Sequence, residues 1–382
     1  MNILIDNVGF VNKGAELMLY SVMDKLNVLF DKPNFAVRAI SPGTIPKLYE
    51  LRDQKRQNMI PIKLLPSFIT KNLYGFIAPK DIDIVLDAGG FRFGDQWESL
   101  YSEMYINYWV DFYRKLKSKG KPIIFLPQAF GPFKKEISGS FMRQVFPNLD
   151  MVYARDKYSK EYLEIITGKN SKIKIAPDFT SLYKPELSDD NNFQLDKFEN
   201  RICIIPNNKM ISHANEKTAN NYFRFMVRFC EKIIELGESF FFINHEGNAD
   251  ERLIKAIITE GNFNADVVSG LDANKVKWLI GKSKMCITSR YHGLVSALSQ
   301  GIPAFCTSWS HKYIALLDDY EIPEALLSLE DEAKSIKNIL AILTDDNERK
   351  LRSEKLKKKA LIQKQLSEKM WGDISNLIRN GS

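Results

Sequence analysis

The chain has 382 residues, 45% of them hydrophobic and 26% charged, with a formal net charge of +7. This is length enough for two ordinary domains, and the composition is too apolar for a disordered chain. The positive excess is modest, and no basic patch interleaved with aromatics is dense enough to argue for nucleic acid as a partner. The opening Met-Asn-Ile-Leu-Ile-Asp reads as a first strand, Ile3–Asn7, and not as a signal peptide. Leu19, Val22, Met23, Leu26 and Phe30 then recur at helical spacing from Lys13 to Phe30. Strands are expected at Phe35–Ser41, Ile82–Asp87, Pro122–Pro127, Met151–Ala154 and Ile173–Ala176. A helix over Glu98–Lys117 carries Tyr105, Trp109, Phe112 and Leu116 on one face, read as core and not as a sugar platform.

A polar stretch, Lys184–Arg201, has few apolar residues and reads as an interdomain linker. The pattern then restarts. Strands are expected at Ile202–Pro206, Ser239–His245, Ala265–Ser269, Met285–Ser289 and Ala304–Thr307, with helices at Asn220–Leu236, Asp250–Glu260 and Asn274–Gly281. Residues 1–184 are therefore assigned to one domain, 185–200 to the linker, 201–345 to a second domain and 346–382 to a helical tail. Two successive βαβ series imply an α/β fold of two Rossmann-like, doubly wound domains facing a cleft, the arrangement called GT-B.

The pattern from Asp331 to Leu377 is helical and lysine-heavy, with Lys355-Leu-Lys-Lys-Lys359 at its middle. Interspersed glutamates make a solvated face the plain reading, and an amphipathic membrane-surface helix the sharper one. Trp371, Ile374, Leu377 and Ile378 recur at a spacing suited to packing, with the first domain as the expected partner. No apolar run approaches the ~20 residues that a membrane-spanning helix needs. Cys203, Cys286 and Cys306 fall inside apolar runs, so buried free thiols are expected, in keeping with a reducing cytoplasm. No Cys/His spacing resembles a zinc site, and no metal ligands are assigned.

The densest chemistry lies in Met285-Cys-Ile-Thr-Ser-Arg-Tyr-His-Gly, which continues to Gly301-Ile-Pro303. Arg290 and His292 fall where a buried strand hands over to a helix. Such positions lie at the carboxyl edge of a parallel sheet, where open α/β folds bind ligands. A guanidinium fork, an imidazole and a helix N-terminus together make an anion site, and Gly293 allows close backbone approach. Arg155 follows the strand Met151–Ala154 and precedes Asp156, a plausible helix cap. It suits anion recognition equally with pairing to a sheet-end carboxylate.

The loop Gly9–Gly14 precedes a helix, so Asn12 and Lys13 are candidates for acceptor or phosphate contacts, against a plain strand–helix turn, and Glu16 for an acceptor-sugar contact or a base, against a solvent-facing glutamate. Its spacing is neither G-x-G-x-x-G nor a P-loop, which disfavours a dinucleotide or ATP site. In Asp87-Ala-Gly-Gly90, Gly89 and Gly90 permit close backbone approach. Asp87, Asp95 and Trp97 are candidates for sugar hydroxyls and ring stacking, against capping or packing. His245-Glu-Gly-Asn-Ala-Asp250 follows a strand of the second domain and either lines the site or, through Asp250, caps the next helix.

Taken in order, these segments resemble the polysaccharide pyruvyl transferases. Asn7-Val-Gly-Phe-Val-Asn-Lys-Gly-Ala-Glu-Leu-Met18 is similar to that family's first Gly-rich loop and helix, and Asp87-Ala-Gly-Gly-Phe-Arg-Phe-Gly-Asp-Gln-Trp97 to its second Gly-rich loop. Pro127-Gln-Ala-Phe-Gly-Pro132, Tyr153-Ala-Arg-Asp-Lys-Tyr-Ser159, Ala176-Pro-Asp178 and Arg290-Tyr-His-Gly293 follow, to about Ser308. Asp87-Ala88 departs from the more glycine-rich pattern there. The resemblance implies transfer of the enolpyruvyl group of phosphoenolpyruvate to a sugar, closed as a cyclic ketal, with no cofactor. It places Arg155, Arg290 and His292 at positions associated with phosphoenolpyruvate. The implied acceptor is a glycan or lipid-linked oligosaccharide of a bacterial surface polymer, met in the cytoplasm or peripherally at the inner membrane face. A GT-B glycosyltransferase using a nucleotide sugar is the first alternative. A non-catalytic scaffold of polysaccharide assembly is the second, and the presence of Arg155, Arg290 and His292 argues against it.

Overall fold

The computed structural model describes residues 1–38, 47, 58–60, 77–187, 195–308 and 310–380. Part of the strand expected at Phe35–Ser41, and most of the middle of the polar linker, lie outside them. The chain forms two compact units. The first comprises Met1–Phe10, Met18–Phe179 and Gln365–Ser382, and the second Val11–Leu17 and Thr180–Lys364. The end of the loop after the first strand and the start of the helix that follows thus group with the second unit, and the end of the tail with the first.

In the first unit β1 (Asn2–Asp6) leads to α1 (Lys13–Leu29), followed by β2 (Asn34–Arg38), β3 (Asn58–Ile60) and β4 (Ile84–Asp87). Then come α2 (Glu103–Lys117), β5 (Ile123–Gln128), α3 (Glu136–Val145), β6 (Met151–Ala154), α4 (Lys157–Thr167) and β7 (Ile173–Ile175). The strands pair in parallel in the order β3-β2-β1-β4-β5-β6-β7. Strand order reverses direction between β1 and β4, the switch point at which such sheets bind ligands. The runs Ile84–Asp87 and Ile123–Gln128 are buried along their whole length, as a sheet covered on both faces requires. The helix expected from Glu98 starts later. Residues 95–100 wind as a 3-10 turn, and Ser102 caps α2 by accepting from the Tyr105 amide. Trp109, Tyr113 and Leu116 are buried in the core on its inner face.

The second unit holds β8 (Ile202–Ile205), α5 (Lys209–Ser212), α6 (Glu216–Glu235), β9 (Phe240–Ile243), α7 (Asn248–Glu260) and β10 (Asp266–Val268). It continues with α8 (Ala273–Gly281), β11 (Met285–Thr288), α9 (Tyr291–Leu298), β12 (Ala304–Cys306), α10 (His311–Asp319) and α11 (Glu332–Leu343). The sheet order is β10-β9-β8-β11-β12, all parallel, with its own switch point between β8 and β11. All four cysteines are buried free thiols.

The tail is one 35-residue helix, α12 (Asp346–Asn380). Its first part packs in the second unit, where Leu356 and Ala360 join the core. Its last part packs in the first unit: Trp371, Ile374 and Ile378 are buried there, and Trp371 meets Phe179 edge-on at 6.0 Å between ring centroids. Among the described residues no helix is long and apolar enough to cross a membrane. Trp371→Ala should therefore cost about 3–5 kcal/mol of stability, the usual range for a fully buried aromatic. Denaturant melts would check this, and a loss under about 1 kcal/mol would show the tail's packing to be incidental.

Candidate anion site at the second switch point

Four chain segments meet at the carboxyl edge of the second sheet: the loop before α1, the turn after β8, the turn after β9 and the turn after β11. Arg290 is the N-cap residue of α9, with an extended backbone, and its guanidinium is 5% exposed by residue. It donates from Nη1 to Glu246 and from Nη2 to Asp250. Asp250 also accepts from the Asn208 amide at 3.0 Å, so it ties the turn after β8 to the arginine. It does not cap α7; Gly247 holds that position without a side-chain bond, which corrects the capping expectation. Glu246 accepts from Asn12 Nδ2 at 3.1 Å and lies 3.7 Å from Lys209 Nζ.

A second layer fixes the turn. Asn207 donates to the Ser289 carbonyl at 3.0 Å, joining the ends of β8 and β11. Tyr313 donates to the same carbonyl at 2.9 Å, and the Ser289 hydroxyl meets those of Tyr222 and Thr307, each at 2.8 Å. Gly293 is dictated by space. A Cβ there would lie 2.6 Å from Thr288 Oγ1 and 3.2 Å from Ile205 Cδ1, so glycine lets α9 start against the strand ends. Gly14 is dictated likewise, because a Cβ would overlap Nδ1 of His292. The imidazole is thus seated against the first turn of α1, edge-on to Tyr291 at 5.4 Å. Asn12 caps that turn, accepting from the Gly14 amide at 2.8 Å, and Lys13 pairs with the fully buried Glu16 at 2.7 Å.

Charges in the site are strongly coupled. Burial disfavours the charged form of Glu246, but Arg290 and then Lys209 outweigh it and hold its pKa below the usual carboxylate value. Burial likewise opposes the charge on Arg290, and Glu246 and Asp250 overcome it. His245 is 3% exposed and kept neutral, first by burial and then by the positive groups Arg290, His292, Lys13 and Lys209. Two buried donor-capable atoms here, Arg290 Nε and His245 Nδ1, have no protein hydrogen-bond partner among the described residues. Such atoms are costly unless something binds them.

His245 gives this site a pH signature. The folded protein binds its proton more weakly than the unfolded chain, so protonation favours unfolding. The penalty is absent well above the ordinary value of 6.5 and grows as pH falls through it. Thermal melts should show Tm falling from about pH 7.5 to about 5.5, and His245→Gln should flatten that fall. An equal slope in the variant would remove His245 as its cause.

The remaining sequence candidates belong to the first unit. Arg155 is buried and donates to Asp178 at 3.1 Å, and Asp156 caps α4 by accepting from the Ser159 amide at 2.7 Å. Asp87 lies at the first switch point with no exposed surface. It accepts from Asn7 at 2.6 Å, the Gly89 amide at 2.9 Å, Tyr113 at 2.9 Å, Arg92 at 3.2 Å and Gln128 at 3.3 Å. Burial pushes its pKa up, against the pull of Arg92. Its carboxylate thus knits the loop to the sheet. Gly90 sits at φ +63°, and a Cβ on Gly89 would lie 3.0 Å from Asp87 Oδ1. Asp95 accepts from Ser138 and from the Lys134 amide, and Trp97 donates to the Phe91 carbonyl at 2.6 Å. Among the described residues no group of three His, Cys, Asp or Glu is arranged to hold a metal ion.

No curated protein matches the chain. Solved structures of similar fold include the UDP-GlcNAc 2-epimerase of Neisseria meningitidis bound to UDP-GlcNAc, at 13% identity and TM-score 0.59 over 95% of this chain and 98% of that one. A glycosyltransferase of Rickettsia africae aligns at 14% identity and TM-score 0.57 over 100% and 99%. HepE of Anabaena in complex with UDP and glucose aligns at 11% identity and TM-score 0.59 over the whole of both chains. At these identities the likeness speaks for the fold, which is GT-B-like with two parallel-sheet α/β domains. The sequence profile of the polysaccharide pyruvyl transferases matches residues 12–311, a span that runs from Asn12 past the whole Arg290–Gly293 turn, and the chain belongs to that family.

Proposed function

We propose that the chain transfers the pyruvyl group of phosphoenolpyruvate to a sugar of a bacterial surface polysaccharide or its lipid-linked precursor, forming a pyruvate ketal. The observation that carries this reading is the buried Arg290 fork beside His292 and the start of α9, with Arg290 Nε and His245 Nδ1 unpartnered. In the reaction a proton adds to C3 of the enol and makes C2 electrophilic. One sugar hydroxyl forms a bond to C2 and loses its proton. A second hydroxyl bonds to C2 and loses its proton as the C2–O bond to phosphate breaks, and inorganic phosphate leaves carrying one proton.

Such chemistry asks for cationic donors where charge collects and a group that moves a proton. Arg290 supplies the fork, and His292 is the candidate proton carrier. Lys13, Lys209 and Arg290 face Glu16, Glu246 and Asp250, so an entering anion must exchange with one carboxylate. Glu246 is the one placed to yield: its side chain is 24% exposed, against 1% for Asp250. Once released from Arg290 it is a carboxylate at the site edge, able to accept a hydroxyl proton.

The test is ligand stabilisation. Phosphoenolpyruvate should raise Tm, by the equivalent of about 2.7 kcal/mol at a hundred times its Kd. UDP at equal concentration should do less. Glu246→Gln should strengthen the response by weakening the competing ion pair, and Arg290→Ala should abolish it. Strong stabilisation by UDP-sugars with no response to phosphoenolpyruvate would transfer the assignment to a nucleotide-sugar transferase.

A further inference from the structure

A groove of about 490 Å³ opens in the second unit between the segment Ser181–Pro185, the end of α9 and the middle of α12. Ser299 and Gln300 line it. It therefore lies at the opposite end of α9 from Arg290, roughly 12 Å along an eight-residue helix. Three lysines, Lys184, Lys357 and Lys364, line it, and among the described residues no carboxylate does. This contrasts with their neighbours on α12, where Arg352 pairs with Glu324 and Lys359 with Glu321.

Two of the lysines are held in place. Lys364 donates to the Ser299 carbonyl at 3.0 Å. Burial, then the charge of Lys184, draw its pKa below the ordinary lysine value. The stem of Lys357 runs over Gly301, where a Cβ would lie 2.5 Å from Lys357 Cγ. That glycine, at φ +77°, both ends the turn after α9 and seats the lysine. Tyr183, Pro185 and Leu361 give the groove an apolar floor. Leu361 is 59% exposed, so its side chain is open to a ligand in the groove.

We infer that this groove is a second anion site, which takes a diphosphate group on its three lysines and the rest of the ligand on its apolar floor. Three ammonium donors match the several oxygens of a diphosphate, and point charges suffice where no planar fork is needed. The inference is independent of the pyruvyl-transfer reading. The ligand class has two sources, an isoprenyl diphosphate or a nucleoside diphosphate.

The experiment is calorimetric titration of the full chain in the Arg290→Ala background, which silences the first site. Inorganic pyrophosphate should bind with one-to-one stoichiometry. Adding Lys184→Ser and Lys357→Ser should weaken it roughly tenfold or more, since each lost charged hydrogen bond counts heavily. Both side chains are exposed, so melting curves should match the parent. Geranyl diphosphate binding more tightly than UDP identifies a lipid source, and the reverse a nucleotide; either supports the site. No pyrophosphate binding in the Arg290→Ala background, or binding indifferent to the two serines, would overturn it.

Discussion

Arg290→Lys is expected to lower kcat/KM for ketal formation by about 10²–10³-fold, although the formal charge is kept. The reason is geometric. Arg290 directs Nη1 and Nη2 at two different carboxylates, Glu246 and Asp250, and its buried Nε has no protein partner among the described residues. An ammonium is a compact point charge that cannot reproduce three donors in one plane. It would also leave Asp250, with 1% of its side chain exposed, short of a partner. Some loss of stability should accompany the loss of activity for that reason. Steady-state kinetics with phosphoenolpyruvate, read beside melting curves, separate the two. A lysine variant with near-normal kcat/KM would remove the fork from the mechanism.

His292→Ala should lower kcat by about 10²–10⁴-fold, the range for losing a general acid–base group. The fold should persist, because α9 is held by Gly293, Thr288 and the bonds to Ser289, none of which involves the imidazole. The kinetic pattern is diagnostic. A raised KM with unchanged kcat would make His292 a binding group and place the proton carrier elsewhere. The pH–rate profile should also lose the limb that the imidazole contributes, whereas a purely spatial role would leave its shape intact.

The fold was legible in the sequence because each strand is short, apolar and bounded by turn residues, and because βαβ periodicity admits few arrangements. The placement of Arg290 and His292 was legible for the same reason. A strand that yields directly to a helix fixes its junction at the sheet's carboxyl edge. What surrounds them was not. Glu246 and Asp250 reach Arg290 across 44 and 40 positions, through the pairing of β9 to β8 and of β8 to β11, and no local spacing announces that. The segment from His245 to Asp250 is a site-lining candidate in the sequence, but the burial of His245 emerges only from the packed sheet.

Asp87 teaches the converse. Its setting among glycines left a contact with sugar and a packing role equally open, and five donors converge on it from Asn7, Gly89, Arg92, Tyr113 and Gln128. A loop carboxylate and a ligand-binding carboxylate look alike until those donors are placed. Arg155 is similar: Asp178 occupies it, as an arginine at a strand end permits.

The overlap that a side chain at position 14 would make with His292 turns one hydrogen atom into a record of competence. A chain that kept Arg-Tyr-His-Gly but carried alanine at 14 would still display the motif by which it is recognised. Its imidazole would be evicted from the first turn of α1. Residue 14, some 280 positions before the histidine, is therefore a second place to look, beside the motif, for whether the imidazole keeps its seat.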